Sequence, residues 1–235
     1  LNDSTFYLRI TDFEDEQAEV LVKSHWKEIT SRPFLIVDIR NNGGGLDDFF
    51  QSLLTLTYTH PYEVDGIEWY ASEGNLRNSE EAIASGDLRN GDEGRKWMEQ
   101  LVAAMKKDPG GFVIHPDMGG NTIVRQDTVY PLPRKIGIIS NEGNGSAEEQ
   151  FILEAKESKK VTLFGTHNTA GVLDYSNQVR EDFPSGKYTF FWPISRSMRL
   201  PDHPIDNIGI PPDVIIPFPE TDQLYGRLDD WVYFV

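Results

Sequence analysis

Cysteine is absent from the 235 residues. That excludes disulfides, thiolate metal sites and a cysteine nucleophile, and it leaves the redox compartment open. Positive charge is scarce: 22 Lys and Arg stand against 38 Asp and Glu, a formal net charge of -16. A surface this acidic repels phosphate backbones and anionic lipid, so nucleic acid and membranes are poor partners. No apolar run approaches the ~20 residues that span a bilayer. No secretory leader opens the chain and Leu1 is not an initiator methionine, so the sequence reads as a mature or trimmed product. HExxH and paired HxH motifs are missing, which leaves a metal site unsupported. GxGxxG and GxxxxGKS/T are missing too, so nucleotide binding lacks its motif. There is no internal repeat.

What is present is an alternation of strand-like and helix-like segments, which predicts an α/β domain. "FYLRI" (6–10) reads as a strand. Thr11 with Glu14 has the form of a capping box, followed by Ala18, Leu21, Val22, His25 and Ile29 at helical spacing. "PFLIVDI" (33–39) and "KIGIIS" (135–140) are continuous apolar runs of the kind buried on both faces of a sheet. "RNNGGG" (40–45) is a tight turn, and 46–58 resumes helical spacing with Asp47 and Asp48 in its first turn. From 60 to 131 the pattern loosens, which predicts an insertion or lid carrying a strand and two helices. Ser146 to Lys156 reads as a helix and "VTLFG" as a strand. "SNQVREDF" and "KYTFFWPIS" form a hairpin around "PSGK". "GIPPDVIIPF" closes the core, and 220–235 is a final helix.

Two stretches carry chemistry. In "RNNGGG" the glycines let the backbone approach a ligand and turn N–H groups toward it, either as a plain tight turn or as a nest for an oxyanion. In "NEGNGSAEEQF" (141–151), Ser146 starts a helix. With Glu149 it has the form of another capping box; it equally sits at the positive end of the helix dipole, where the Ala147 N–H faces an oxyanion. A serine nucleophile needs a base. Five histidines are available. His25 lies on an apolar helix face, His60 and His115 in or beside the insertion, and His167 and His203 in loops. "PDHPIDNIGIPPD" gathers Asp202, His203, Asp206 and Asp213, either a solvated, proline-stiffened loop or carboxylates that orient a histidine.

In this order, "FYLRITDF", "FLIVDIRNNGGG", "KIGIISNEGNGSAEEQF", "TLFGTHNTAGVLDY" and "DNIGIPPDV" resemble the S41 peptidases. That group holds the tail-specific (C-terminal processing) proteases, tricorn-type core proteases and retinoid-binding repeats. The resemblance implies a ClpP/crotonase-like fold of repeated β-β-α units, a single catalytic domain over 1–235 with the 60–131 insertion inside it, and serine-type hydrolysis of peptide or protein substrates. It implies no cofactor or metal, a secreted, periplasmic or cell-envelope setting, and room for a further domain before Leu1. Ser146 falls on the nucleophile, and Gly44, Gly45 and Ala147 fall on the oxyanion hole. Where the tail-specific proteases carry the lysine of a Ser–Lys dyad, this chain has Gly171, and Lys156, Lys159 and Lys160 point away from that task. The match is closer to the tricorn-like branch of serine, histidine and glutamate. Asp206 stands at the glutamate position. The upstream histidine of that branch has no counterpart between Asn2 and Phe13; His203 or His167 would replace it, or it lies before Leu1. A catalytically degenerate domain that binds a peptide or an apolar ligand is the other implied reading.

Overall fold

The computed structural model describes residues 3–86, 88, 90–118, 120–217 and 230–235. In chain order the elements are β1 (Thr5–Arg9), α1 (Gln17–Ser24), α2 (Trp26–Ile29), β2 (Phe34–Asp38), a 3-10 turn (Asp47–Phe50), α3 (Gln51–Thr57), β3 (Tyr62–Val64), β4 (Ile67–Tyr70), α4 (Glu73–Ser85) and α5 (Gly91–Met105). There follow β5 (Phe112–Val113), β6 (Thr122–Val124), β7 (Lys135–Ser140), α6 (Ala147–Lys156), β8 (Val161–Gly165), β9 (Tyr175–Asp182), β10 (Thr189–Ser197), β11 (Val214–Ile215) and α7 (Asp230–Phe234). The chain divides into two compact units. One comprises Leu1–Tyr62, Ile123–Leu173 and Ile205–Val235; the other comprises Glu63–Thr122 and Asp174–Pro204.

The first unit is built on a parallel five-stranded sheet in the order β1-β2-β7-β8-β11. Side chains alternate across a strand, and here both faces are apolar. Leu35, Val37, Ile136 and Ile138 point to one face, where Ala18 and Val22 of α1, Leu53, Leu54 and Leu56 of α3, and Phe151, Ile152 and Ala155 of α6 cover them. Ile36 and Ile139 point to the other, against Ile216, Trp231 and Val232. Gly137 gives α7 its close approach: a Cβ there would lie 2.2 Å from Val235 Cγ1. This is the α/β class that the alternating pattern predicts, with parallel strands crossing over through helices.

Several local expectations fail for identifiable reasons. The Thr11 capping box does not form. The Thr11 hydroxyl donates to Asp12, the Glu14 N–H is taken by the same carboxylate, and the helix begins only at Gln17, whose N–H donates to Asp15 Oδ1 at 2.8 Å. The helix also breaks at His25, which is half-exposed beside Phe6 rather than enclosed in a core. Of the terminal helix expected over 220–235, residues 220–229 lie outside the described residues, and Asp230–Phe234 is helical.

The second unit holds most of the segment expected as an insertion, and it also takes in the 174–204 stretch. Its sheet runs β5-β4-β10-β9 and is antiparallel throughout. Trp69, Leu101, Met105 and Val113 form its core, with Leu76, Trp97 and Ile194 packed around them. Helix α4 begins at Ser72, whose hydroxyl accepts the Asn75 N–H at 3.1 Å, and closes on Gly86 in the left-handed region. His115 is buried here, stacked on Trp97 with ring centroids 4.4 Å apart.

Candidate active site

Two turns at the ends of β2 and β7 meet within the first unit. The turn after β2 is rooted by the buried Asp38, which accepts bonds from Arg40 Nε (2.8 Å), Arg9 Nη1 (3.0 Å) and the Tyr7 hydroxyl (2.9 Å). Burial pushes the Asp38 carboxyl up, but the Arg40 guanidinium and the Tyr7 hydroxyl outweigh it and hold it below its ordinary value. A fixed anion at this point locks the first residue of "RNNGGG".

Asparagines then stitch the two turns together. Asn141 Oδ1 accepts the Asn41 N–H at 2.9 Å, and Asn141 Nδ2 donates to Asn41 Oδ1 at 2.9 Å. Asn144, fully buried, donates to Ile39 O and to Asn42 O. The Gly145 N–H reaches Asn42 O at 3.3 Å. These four asparagines were not singled out from the sequence. Asn beside Gly signals a turn, but pairing across a hundred residues leaves no local mark.

Stitching places Gly44 against Ser146. A Cβ on Gly44 would lie 2.7 Å from Gly145 O, 2.8 Å from Ser146 Cβ and 2.9 Å from the Ala147 N. The Gly44 N–H is engaged with Asn42 Oδ1 at 2.9 Å. The Gly44 carbonyl accepts the Phe13 N–H at 2.9 Å. Because a trans peptide directs N–H and C=O oppositely, the Gly45 N–H points away from Phe13. Gly45 itself could carry no side chain, since a Cβ would fall 2.0 Å from Phe13 O.

Ser146 is the cap residue of α6, but its side chain makes no capping bond. Its backbone sits at φ 60°, ψ −129°, a region that costs a non-glycine residue about 1–3 kcal/mol and persists only where the surroundings enforce it. Among the described residues the Ser146 hydroxyl makes no hydrogen bond, and the side chain is half-buried. Glu149, its expected capping-box partner, is spent elsewhere. It accepts from the Thr169 hydroxyl, from the Gly171 N–H (2.8 Å) and from the Val172 N–H (2.9 Å). Glu149→Ala is expected to destabilise the protein by about 3 kcal/mol, because three donors lose their acceptor; a denaturant titration showing less than ~1 kcal/mol would contradict this role.

Gly171 is the residue that the resemblance sets at the place of the dyad lysine. Its φ is 71°, and a Cβ would meet Gly209 N at 2.7 Å and Ile205 O at 2.8 Å. Asp206 lies in that same 205–209 turn, which donates the Asn207 N–H to Gly171 O at 2.9 Å. The Ala170 N–H in turn donates to Asn144 O at 2.7 Å. The segment 169–172 therefore packs between the Asp206 turn and the Ser146 turn. His203 falls in the second unit, exposed, with its N–H on Arg199 O. His167 is exposed in the first unit, its Nδ1 3.7 Å from Glu142 Oε2. Lys156 is paired with Asp213, and Lys160 donates to Tyr130 O. Among the described residues, no group of His, Asp or Glu is arranged to hold a metal ion.

Glu148, one residue before Glu149, is fully buried and neither oxygen has a partner. Burial, reinforced by the Glu149 charge, raises its carboxyl well above the ordinary value. A carboxyl raised in the folded state supports folding below its unfolded value and loses that contribution as pH rises toward its folded value. Glu148→Gln should therefore leave the melting temperature near pH 4 unchanged and raise stability at pH 8 by ~1 kcal/mol or more. An equal gap between variant and wild type at both pH values would refute it.

Known proteins share this fold. Mature CPAF complexed with lactacystin superposes with a TM-score of 0.67 at 19% identity, covering 98% of this chain and 50% of that one. The photosystem II D1 C-terminal processing protease gives 0.54 at 17% identity, over 90% of this chain and 42% of that one. These likenesses establish a shared fold. A Chlamydia trachomatis serovar D protein is 25% identical over 226 residues, 84% of this chain and 36% of its own length. The chain thus spans about a third of that curated relative. The model of peptidase family S41 matches residues 4–216. That match takes in both turns and nearly all of the sequence, so the chain belongs to peptidase family S41.

Proposed function

We propose that this chain is the catalytic domain of a serine-type endopeptidase in which Ser146 attacks a peptide carbonyl and forms an acyl-enzyme. The observation that supports this most is the enforced turn at Ser146. A serine held at φ 60° with an uncommitted hydroxyl, against a bare glycine and at a helix start, follows the logic of a nucleophile presented on a strained strand-to-helix turn. The N–H groups of Gly45 and Ala147 hold the developing oxyanion, and Gly44 contributes its missing side chain, which lets the carbonyl come close. The hydroxyl proton passes to a base and then to the leaving amine; water, activated by the same base, cleaves the ester.

The reading favours the tricorn-like set of serine, histidine and acid over the Ser–Lys set, because the close packing at Gly171 leaves no room for a lysine. Asp206 is the orienting carboxylate, and the base it orients is a histidine: His203, His167 or one that precedes Leu1. Peptides and proteins are the substrates, and the setting is extracellular or the cell envelope. Among the described residues no helix is long and apolar enough to cross a membrane. A pH–rate profile of kcat/KM tests the base. A histidine base gives an ascending limb on the acid side of the profile, lost in whichever of His203→Ala and His167→Ala removes it; a profile that rises only in the alkaline range points to lysine and overturns the reading.

One observation favours a second reading, a degenerate domain that binds a peptide or an apolar ligand. The Ser146 hydroxyl has no hydrogen-bonding base among the described residues. A serine-directed phosphonate separates the two, since only a working nucleophile is modified.

A further inference from the structure

Beside Ser146 the segment 169–172 alternates in exposure. Thr169 and Gly171 are buried, while Ala170 and Val172 are exposed. Both exposed side chains flank Gly145, the residue before Ser146. A Cβ on Gly145 would lie 2.6 Å from Val172 Cγ2 and 3.6 Å from Ala170 Cβ. Val172 leaves 53% of its surface open, yet its backbone is not loose. Its own N–H and that of Gly171 are held by the buried Glu149 carboxylate, the Ala170 N–H by Asn144 O and the Thr169 N–H by Ile210 O. Loops normally expose polar groups and tolerate motion. This one fixes a valine in the open, one residue from the Ser146 turn.

We infer that Val172, with Ala170 beside it, is the apolar wall that receives the side chain of the substrate residue whose carbonyl Ser146 attacks, so that the site selects peptides with an aliphatic residue at that position. The inference rests on the peptidase reading and adds a substrate class to it. The acyl-side residue is the natural occupant. Its Cα is bonded to the carbonyl under attack, so its side chain stays beside Ser146 both in the bound peptide and in the acyl-enzyme. A wall on rigid backbone discriminates without reorganising. Contacts of this kind in an apolar pocket are worth about 10- to 200-fold in selectivity.

The test uses peptidyl diphenyl phosphonates that differ only in the acyl-side residue, leucine, lysine or glutamate, and measures the rate of Ser146 modification. Leucine should react at least about tenfold faster than lysine or glutamate in the wild type. Val172→Asp should cut the leucine rate about tenfold and bring lysine level with it or above it; Val172→Ala should give a smaller loss in the same direction. Modification at rates whose ratios neither variant changes overturns the wall and leaves the peptidase reading standing. If no phosphonate reacts, the peptidase reading fails, and the wall is judged by the methyl resonances of Val172 and Ala170 during titration with N-acetyl-dileucine amide and N-acetyl-dilysine amide. Shifts with the first peptide alone support it, and no shift with either overturns it.

Discussion

Ser146→Ala is expected to lose essentially all peptide hydrolysis while keeping its fold. Removing the nucleophile of an assembled triad costs about 10⁶ in kcat, and even a weakly assembled site should fall by about 10³. The fold should survive because the Ser146 side chain caps nothing and the turn is held by others: Asn144 on Ile39 and Asn42, and Gly145 on Asn42. Alanine at φ 60° meets the same backbone strain as serine, so the stability change should be within about 0.5 kcal/mol. Hydrolysis of a fluorogenic peptide, with circular dichroism on the same sample, checks both halves. A variant that is folded and as active as wild type would remove Ser146 from the chemistry. One that is unfolded would return it to a structural role.

Gly44→Ala is expected to lose activity beyond any loss of stability. The added carbon would be 2.8 Å from Ser146 Cβ and 2.9 Å from the Ala147 N, inside the space a carbonyl must enter. Loss of an oxyanion donor alone costs about 10²–10³ in kcat, and blocking the approach should cost at least that. Stability should fall as well, because φ at Gly44 is 103° and a side chain there carries about 1–3 kcal/mol of strain. The activity loss should therefore exceed anything the stability loss explains at 25 °C. Wild-type kcat in the folded variant would place the carbonyl elsewhere.

The sequence was readable where a residue's environment is set by its neighbours in the chain. The buried strands 34–38 and 135–140 follow from continuous apolar runs, and the alternation of Leu35, Ile36 and Val37 between two cores follows from strand periodicity. The hairpin of β9 and β10 follows from the "PSGK" turn between them. The capping box at Thr11 does not form because Asp12 takes the Glu14 N–H, and Asp15 accepts the Gln17 N–H where the helix begins. At Ser146 the capping box likewise does not form, for a reason set by three-dimensional packing: Glu149 is drawn to the 169–172 segment, and the serine makes no capping bond. The asparagine stitches and the exposed, anchored Val172 had no sequence signal, because their partners lie 20 to 100 residues away. Glu148 stands in the first turn of α6, where an acid is ordinary, yet it is enclosed without a partner.

The central claim is that Ser146 is a nucleophile, and covalent trapping tests it most directly. The chain is incubated with an alkyl fluorophosphonate, digested and mapped by mass spectrometry. One adduct on the peptide containing Ser146, absent from Ser146→Ala and suppressed in Gly44→Ala, is the predicted result. No adduct at Ser146 in the folded protein, or modification spread evenly over exposed hydroxyls, would contradict the account.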